Sequence, residues 1–409
     1  MLTTALSLLL SAEADAGLSF DPAGLAPSLG VTDAGVTAPE TGGGKKKDHA
    51  TVDAKWGEGV VFKTKDVSIT LRGRVQARGE AIIPTAESQV TRLNQFLIRR
   101  ARLTFVAKYG DDWVMQVQLA FATLDMEADA PNVLRDAHLT WQGLRDLNVR
   151  VGQMKVPFGK QRVVSSGSLQ MVDRSIVVSE LNLDRDVGVT LRSDDLFGLG
   201  GRLAYTLGVF GGDGRNRFGT NVGLLYVARL QVSPFGKFDD LVEGDLDRLE
   251  KPRLAFGVAA ARNVATVRQR STIGSTFKNG TTTYNHLAAD LTFKWNGFTL
   301  ASEALYRQAE RDQLAGATST EWARSGWGYF VQVGYAPVKN FDVSARWGQL
   351  RPLGETDPSF RHQRELGVGV GWYPMKHDLK LQSDFFWLPV GERFDVGSYQ
   401  VRAQLQLAF

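Results

Sequence analysis

The chain has 409 residues, no cysteine, and 48 Lys and Arg against 44 Asp and Glu, a formal charge of +4. A disulfide framework and a thiolate metal site are thereby excluded, and so balanced a charge gives no ground for a nucleic-acid partner. With 43% hydrophobic residues and a mean hydropathy of −0.17, the chain is too polar for a helical membrane protein, yet ordinary for a transmembrane barrel, where only every second strand residue meets lipid.

The N-terminal stretch through Ala5, Leu6, Leu8, Leu9 and Leu10 is far shorter than the roughly 20 residues of a spanning helix. It runs into Ala12-Glu13-Ala14 and Ala14-Asp15-Ala16, two small-x-small cleavage patterns. Residues 1–16 are therefore taken as a signal peptide, cut before Asp15 or Gly17, with a buried N-terminal helix as the alternative. Residues 17–59 are expected to be a flexible periplasmic leader. Their first part is rich in Ala, Gly, Pro and Thr and ends in Lys45-Lys46-Lys47, a composition that cannot bury enough apolar surface to order itself.

From there to the end, residues 60–409 are expected to form one transmembrane antiparallel β-barrel. Val67, Ile69, Leu71, Gly73, Val75 and Ala77 alternate with Ser68, Thr70, Arg72, Arg74, Gln76 and Arg78, the period of a strand with one apolar and one polar face. Similar segments predict about sixteen strands: 67–80, 95–108, 112–123, 132–142, 147–155, 186–194, 201–211 and 221–233 in the first half. The second half gives 253–263, 284–296, 297–308, 325–337, 340–350, 363–373, 377–388 and 398–409. Their connections alternate between short, as at Gly110-Asp111 and Asn296-Gly297, and long, as at 156–185 and 264–283. Short periplasmic turns opposite long external loops are the outer-membrane arrangement. The acidic 234–252 segment breaks this rule, because parity places it on the periplasmic side although it is long.

Aromatic residues gather at strand ends, among them Tyr109, Trp113, Trp141, Tyr226, Trp295, Tyr335, Trp347, Trp372 and Tyr373, as rings do at the two lipid–water interfaces. Phe409 closes an alternating strand and is expected to serve as an assembly signal. These features place the protein in the outer membrane of a Gram-negative bacterium, in contact with outer-membrane lipid and lipopolysaccharide.

Four passages carry a family resemblance. Ile98-Arg99-Arg100-Ala101-Arg102-Leu103, then Gly152-Gln153-Met154-Lys155-Val156-Pro157-Phe158-Gly159, then Asp173-Arg174-Ser175 with Arg185-Asp186-Val187-Gly188-Val189, and last Tyr205-Thr206-Leu207-Gly208-Val209-Phe210 with Gly212-Asp213-Gly214, resemble signature segments of the phosphate-selective porin O and P family. The resemblance implies a sixteen-stranded, homotrimeric porin whose third loop folds into the pore, here 156–185, and a role for the barrel assembly machinery in its biogenesis. It also implies small anions, phosphate or polyphosphate included, as the permeant species. Phosphate-dedicated members carry a loop tyrosine, and no Tyr lies between Val156 and Arg185.

Parity assigns the pore face, because a one-residue slip exchanges lumen for lipid. On it fall Arg72, Arg74, Arg78, Arg100, Arg102, Arg150, Arg192 and Arg229, followed by Arg202, Arg253, Lys294, Arg307, Arg346, Lys380 and Arg402. The acids there are about half as many: Glu80, Asp136, Asp186, Asp290, Glu303, Asp342 and Asp384. Arg72, Arg74, Arg78, Arg100 and Arg102 are expected to form a basic ladder, and Lys155, Lys160, Arg162, Arg174 and Arg185 to line the constriction loop. The planar arginine fork suits phosphate and carboxylate. Alternatively, the arginines pair with the acids and stiffen the wall, as in a structural or partner-binding barrel with little channel activity. Arg99 falls on the lipid side by parity, so either a β-bulge shifts the register or the side chain snorkels. Gly367, Gly369 and Gly371 are expected to leave lumen space. No metal-ligand spacing, no cofactor motif and no grouped nucleophile and base are present, so neither an enzyme nor a metal site is expected.

Overall fold

The structure is a computed structural model describing residues 50–127, 131–217, 219, 223–317 and 319–409. The segment read as a signal peptide and residues 17–49 of the leader lie outside the described residues. Pairing begins with a hairpin, β1 (Thr51–Lys55) and β2 (Gly59–Lys63), followed by β3 (Val67–Pro84), β4 (Leu93–Tyr109), β5 (Trp113–Ala120), β6 (Leu134–Trp141) and β7 (Asn148–Lys155). Two short helices, α1 (Lys160–Val163) and α2 (Ile176–Leu181), then precede β8 (Arg185–Ser193), β9 (Leu203–Phe210), β10 (Leu225–Val232) and β11 (Arg253–Thr266). The remainder is β12 (Thr282–Trp295), β13 (Phe298–Ala309), the small external hairpin β14 (Gln313–Ala315) and β15 (Thr320–Trp322), then β16 (Gly326–Val338), β17 (Phe341–Pro352), β18 (Gln363–Met375), β19 (Leu379–Pro389) and β20 (Gly397–Ala408).

Sixteen of these strands, β3 to β13 and β16 to β20, close into an antiparallel barrel. Closure is made by β20 on β3, in register from Ser398↔Pro84 to Ala408↔Arg74. Closing the sheet leaves no lipid-exposed backbone edge, which hydrocarbon would penalise heavily. No helix among the described residues is long and apolar enough to cross a membrane; the strands do the crossing. The tight turn at Asn296-Gly297 has both residues at positive φ, 47° and 88°, the backbone that a two-residue hairpin requires.

The first hairpin lies partly inside the stretch read as leader. Its strands are five residues each, too short to show an alternating run. β2 pairs with β3 from Val60↔Leu71 to Lys63↔Ser68, below the point where β20 ends. There the Phe409 N–H donates to Gly73 O at 3.0 Å and the Gly73 N–H to Phe409 O at 3.1 Å. The Phe409 ring lies over Gly73, where any Cβ would collide with it.

The outward face carries the apolar alternation, with Val75, Leu207, Val258, Val370 and Leu405 all exposed. Aromatic residues at the periplasmic ends fall in cross-strand register: Tyr109↔Trp113, Trp113↔Trp141, Trp295↔Phe298, Phe298↔Tyr335 and Phe341↔Trp372. Such rows form the interfacial girdle. Tyr373 does not belong to it. It shares the inward parity of Gly369 and Gly371, one residue after the outward Trp372, so it is buried and its hydroxyl donates to Asp342 at 3.2 Å. The alternating glycines do not widen the lumen either. Gly367 and Gly371 make room for the rings of Phe386 and Tyr373, which lie where their Cβ atoms would stand.

Candidate functional site

The inside of the barrel has two unlike walls, and the loop between β7 and β8 is built to fit both. Ser175 caps α2, its Oγ accepting from the Val177 N–H at 3.2 Å. The helix then buries Val177, Val178 and Leu181 against Leu305, Phe330 and Leu350, inward residues of β13, β16 and β17. That apolar wall holds one side of the loop by area burial. The other wall, β3 and β4, is basic and holds it by charge.

Asp173 is the centre of this second attachment. Its carboxylate meets Arg78 at 2.9 Å, Arg100 at 3.2 Å and Arg99 at 3.5 Å. Arg74 donates to the hydroxyls of Ser165 and Ser166 at 3.1 and 3.0 Å, and Arg102 to Ser166 at 3.0 Å. Three carboxylates of the loop share one electrostatic pattern. Burial by itself would raise Asp173, Glu180 and Asp184, but the arginines around each reverse the effect and hold all three below their ordinary values. For Asp173 these are Arg100, Arg99 and Arg78; for Glu180, chiefly Arg307; for Asp184, Arg162 and Arg185.

Arg74 and Arg102 are register neighbours, so the ladder read from the sequence exists in part. Arg72 stands apart from it: exposed at the periplasmic end, it donates through Nε to Glu58 O of the first hairpin at 3.3 Å. Two β-bulges enlarge the basic wall. Between β3 and β4 the register passes from Gln76↔Arg100 to Ala77↔Ile98, leaving Arg99 as the extra residue. Between β5 and β6 it passes from Gln118↔Asp136 to Leu119↔Leu134, leaving Arg135. Each bulge thus brings an arginine inside that strict alternation would place in lipid. The bulge, and not snorkelling, is the resolution for Arg99.

Two cavities flank the loop. The external one, about 640 Å³, is lined by Arg99, Arg100 and Arg135 of the wall, Arg162 and Arg174 of the loop, and Arg215, Arg268 and Arg270 of outer connections. Against these eight arginines stand three carboxylates, Asp125, Glu127 and Asp184. Each is shared. Asp125 binds Arg102 at 2.5 Å and Arg135 at 3.0 Å; Glu127 meets Arg268 at 3.2 Å and Arg217 at 3.3 Å; Asp184 binds Arg162 and Arg185. Sharing leaves an excess of positive charge in a confined space, where its field is strongest.

The periplasmic cavity, about 830 Å³, is lined by Arg150, Lys155, Lys160, Arg192, Arg229 and Lys237, with Asp136, Asp194, Asp239 and Asp240. Arg192 pairs with Asp194 at 2.6 Å, Arg229 with Asp290 at 2.7 Å and Lys160 with Asp240 at 2.5 Å. Among the described residues, Arg150 binds only the Thr140 hydroxyl, at 2.9 Å. Lys155 and Arg174 both donate to the carbonyl oxygens at the end of α1, and neither has a carboxylate partner among the described residues. Arg185 is wholly buried between Asp136, at 2.9 Å, and Asp184, at 3.2 Å.

The structure therefore gathers the expected residues into three groups. Arg100, Arg162 and Arg174 face the external cavity, Arg150, Arg192, Arg229, Lys155 and Lys160 the periplasmic one. Arg74, Arg78, Arg102 and Arg185 hold the loop or its base. Missed from the sequence were Arg135, whose neighbours Asp136 and His138 set the opposite parity, and Arg215, Arg268 and Arg270, which sit in loops without a period.

Comparison with known proteins agrees with this architecture. The family model of phosphate-selective porin O and P matches residues 69–393, and the chain belongs to that family. It is an outer-membrane porin, a channel protein and not an enzyme. A protein of Aquifex aeolicus (strain VF5) is 22% identical over 298 residues, 67% of each chain. Among solved structures, the outer membrane channel DcaP of Acinetobacter baumannii matches with a TM-score of 0.56 at 16% identity, covering 86% of this chain and 100% of that one. The anion-selective porin from Comamonas acidovorans matches with a TM-score of 0.54 at 12% identity, covering 84% and 100%. OmpT of Vibrio cholerae, in a trimer form, gives 0.52 at 10% identity, covering 84% and 100%.

Proposed function

We propose that this porin conducts small anions by diffusion, inorganic phosphate and polyphosphate among them, and that it works as a homotrimer. The observation that carries the reading is the external cavity, where eight arginines face three shared carboxylates. Closely spaced, partly satisfied guanidinium groups give a passing anion several weak sites in place of one strong one. Family membership and the similarity to the anion-selective porin from Comamonas acidovorans support the same reading. The pairing of Arg78 and Arg100 with Asp173 of the loop and of Arg102 with Asp125 of the β5–β6 connection favours the second reading, a stiffened structural barrel. The two cavities beside the loop speak for a path. Adding inorganic phosphate to one side of a bilayer carrying chloride current separates the two. Competition for the arginines reduces the chloride current; a current unmoved by phosphate contradicts phosphate as a permeant ion, and no current at all contradicts the channel.

A further inference from the structure

We infer that the periplasmic segment between β10 and β11, residues 233–252, is a second selectivity element in series with the arginine cavity. It is an acidic exit that weakens the hold on an anion before release to the periplasm. The inference rests on the anion preference proposed above and adds where and in which direction release occurs.

The segment is longer than its neighbours on that side, residues 194–202 between β8 and β9 and the turn at Asn296-Gly297, and it does not hang outside the barrel. Its middle reaches the inward loop: the Glu243 N–H donates to Ser168 O at 2.8 Å. The Glu243 carboxylate accepts from Gln161 Nε2 at 2.9 Å and from the Gln170 N–H at 3.0 Å. Residues on either side of Glu243 are fastened to the wall and its turns. Asp245 accepts from the Gly297 N–H at 2.7 Å, and Lys294 Nζ donates to Asp239 O and Val242 O at 2.9 and 2.6 Å. So many directed bonds from Asp239 to Asp245 mark a built element of the lumen.

Its charge opposes that of the cavity above it. The segment carries six acids, Asp239 to Glu250, against Lys237, Arg248 and Lys251. Two of them, Asp239 and Asp240, supply half of the four carboxylates lining the periplasmic cavity. The excess of basic over acidic lining residues therefore falls from five in the external cavity to two in the periplasmic one. An anion drawn inward by the first finds the second less retentive, and conduction needs such release as much as it needs attraction. Asp240 is held by Lys160 at 2.5 Å and Gln231 at 2.8 Å. Asp239 is exposed and makes no ion pair among the described residues, so its charge is removable without breaking one.

The test uses the full chain in planar bilayers, comparing wild type, Asp239→Asn, and Asp239→Asn with Asp240→Asn, with chloride and then inorganic phosphate as the probe. The exit account expects the double variant to keep its anion preference while its conductance saturates at a concentration lower by about threefold or more. Its maximal current falls with it. The single variant moves the same way by less, and it decides the matter if the double variant fails to insert. Saturation unchanged or shifted to higher concentration, in a variant that inserts as wild type does, overturns the inference. A wild-type channel that prefers cations is a different result, and it overturns the anion reading beneath it.

Discussion

At the scale of single residues, the two bulge arginines are the clearest consequence of local backbone geometry for chemistry. Arg99 and Arg135 enter the lumen only because one extra residue is inserted in β4 and in β6. Arg135→Ala removes one of the eight arginines of the external cavity, so anion preference, read from reversal potentials, is expected to decline. Arg72→Ala is expected to leave those potentials unchanged, since Arg72 stands at the periplasmic rim, on Glu58 O and away from the external cavity; equal effects of the two substitutions would contradict the placement. Asp173→Asn leaves Arg78, Arg99 and Arg100 facing one another without a carboxylate. Breaking such a pair costs on the order of 3 kcal/mol, measurable as a lowered thermal transition together with noisier open-channel current. The depressed loop carboxylates also set a pH window. Their stabilisation is fully present above the ordinary carboxylate range near pH 4 and is lost only as pH falls through the lower folded values. The anchoring that Asp173, Glu180 and Asp184 give the loop is therefore expected to persist between about pH 7 and pH 5. Loss of loop anchoring within that interval would show that these carboxylates are not depressed.

At the scale of elements, the sequence was most readable where a period was long enough to repeat. All sixteen barrel strands were legible within a few residues, because each alternates for eight residues or more. The first hairpin escaped, since five-residue strands carry too little pattern, and so did β14 and β15. Arg100 and Arg102 point inward, as parity has them, whereas Arg135 does not follow parity, because a bulge is a backbone event that its flanking residues do not announce. The inward fold of residues 156–185 came from resemblance; what the residues themselves show is only an apolar Ile176-Val177-Val178 run in a long loop. Its docking is testable. Leu181→Ala deletes a side chain buried against the apolar wall, and the cost is expected to be about 2–5 kcal/mol. The readout is a larger or more fluctuating conductance with the barrel still inserted. Unaltered conductance and stability would mean that α2 does not hold the loop down.

For the whole molecule, the near-neutral formal charge conceals a strong internal asymmetry. Acids lie largely in loops and in the 233–252 segment, while arginines crowd the lumen of β3 to β6 and the outer connections. Composition alone does not reveal this, because the sorting depends on which residues closure turns inward. Whether this sorting makes the channel anion-preferring is read from the zero-current potential across a bilayer under a KCl gradient. The sign of that potential is expected to report chloride as the more permeant ion, and its size to shrink as ionic strength screens the lumen. A potential of the opposite sign, with potassium more permeant, would contradict it.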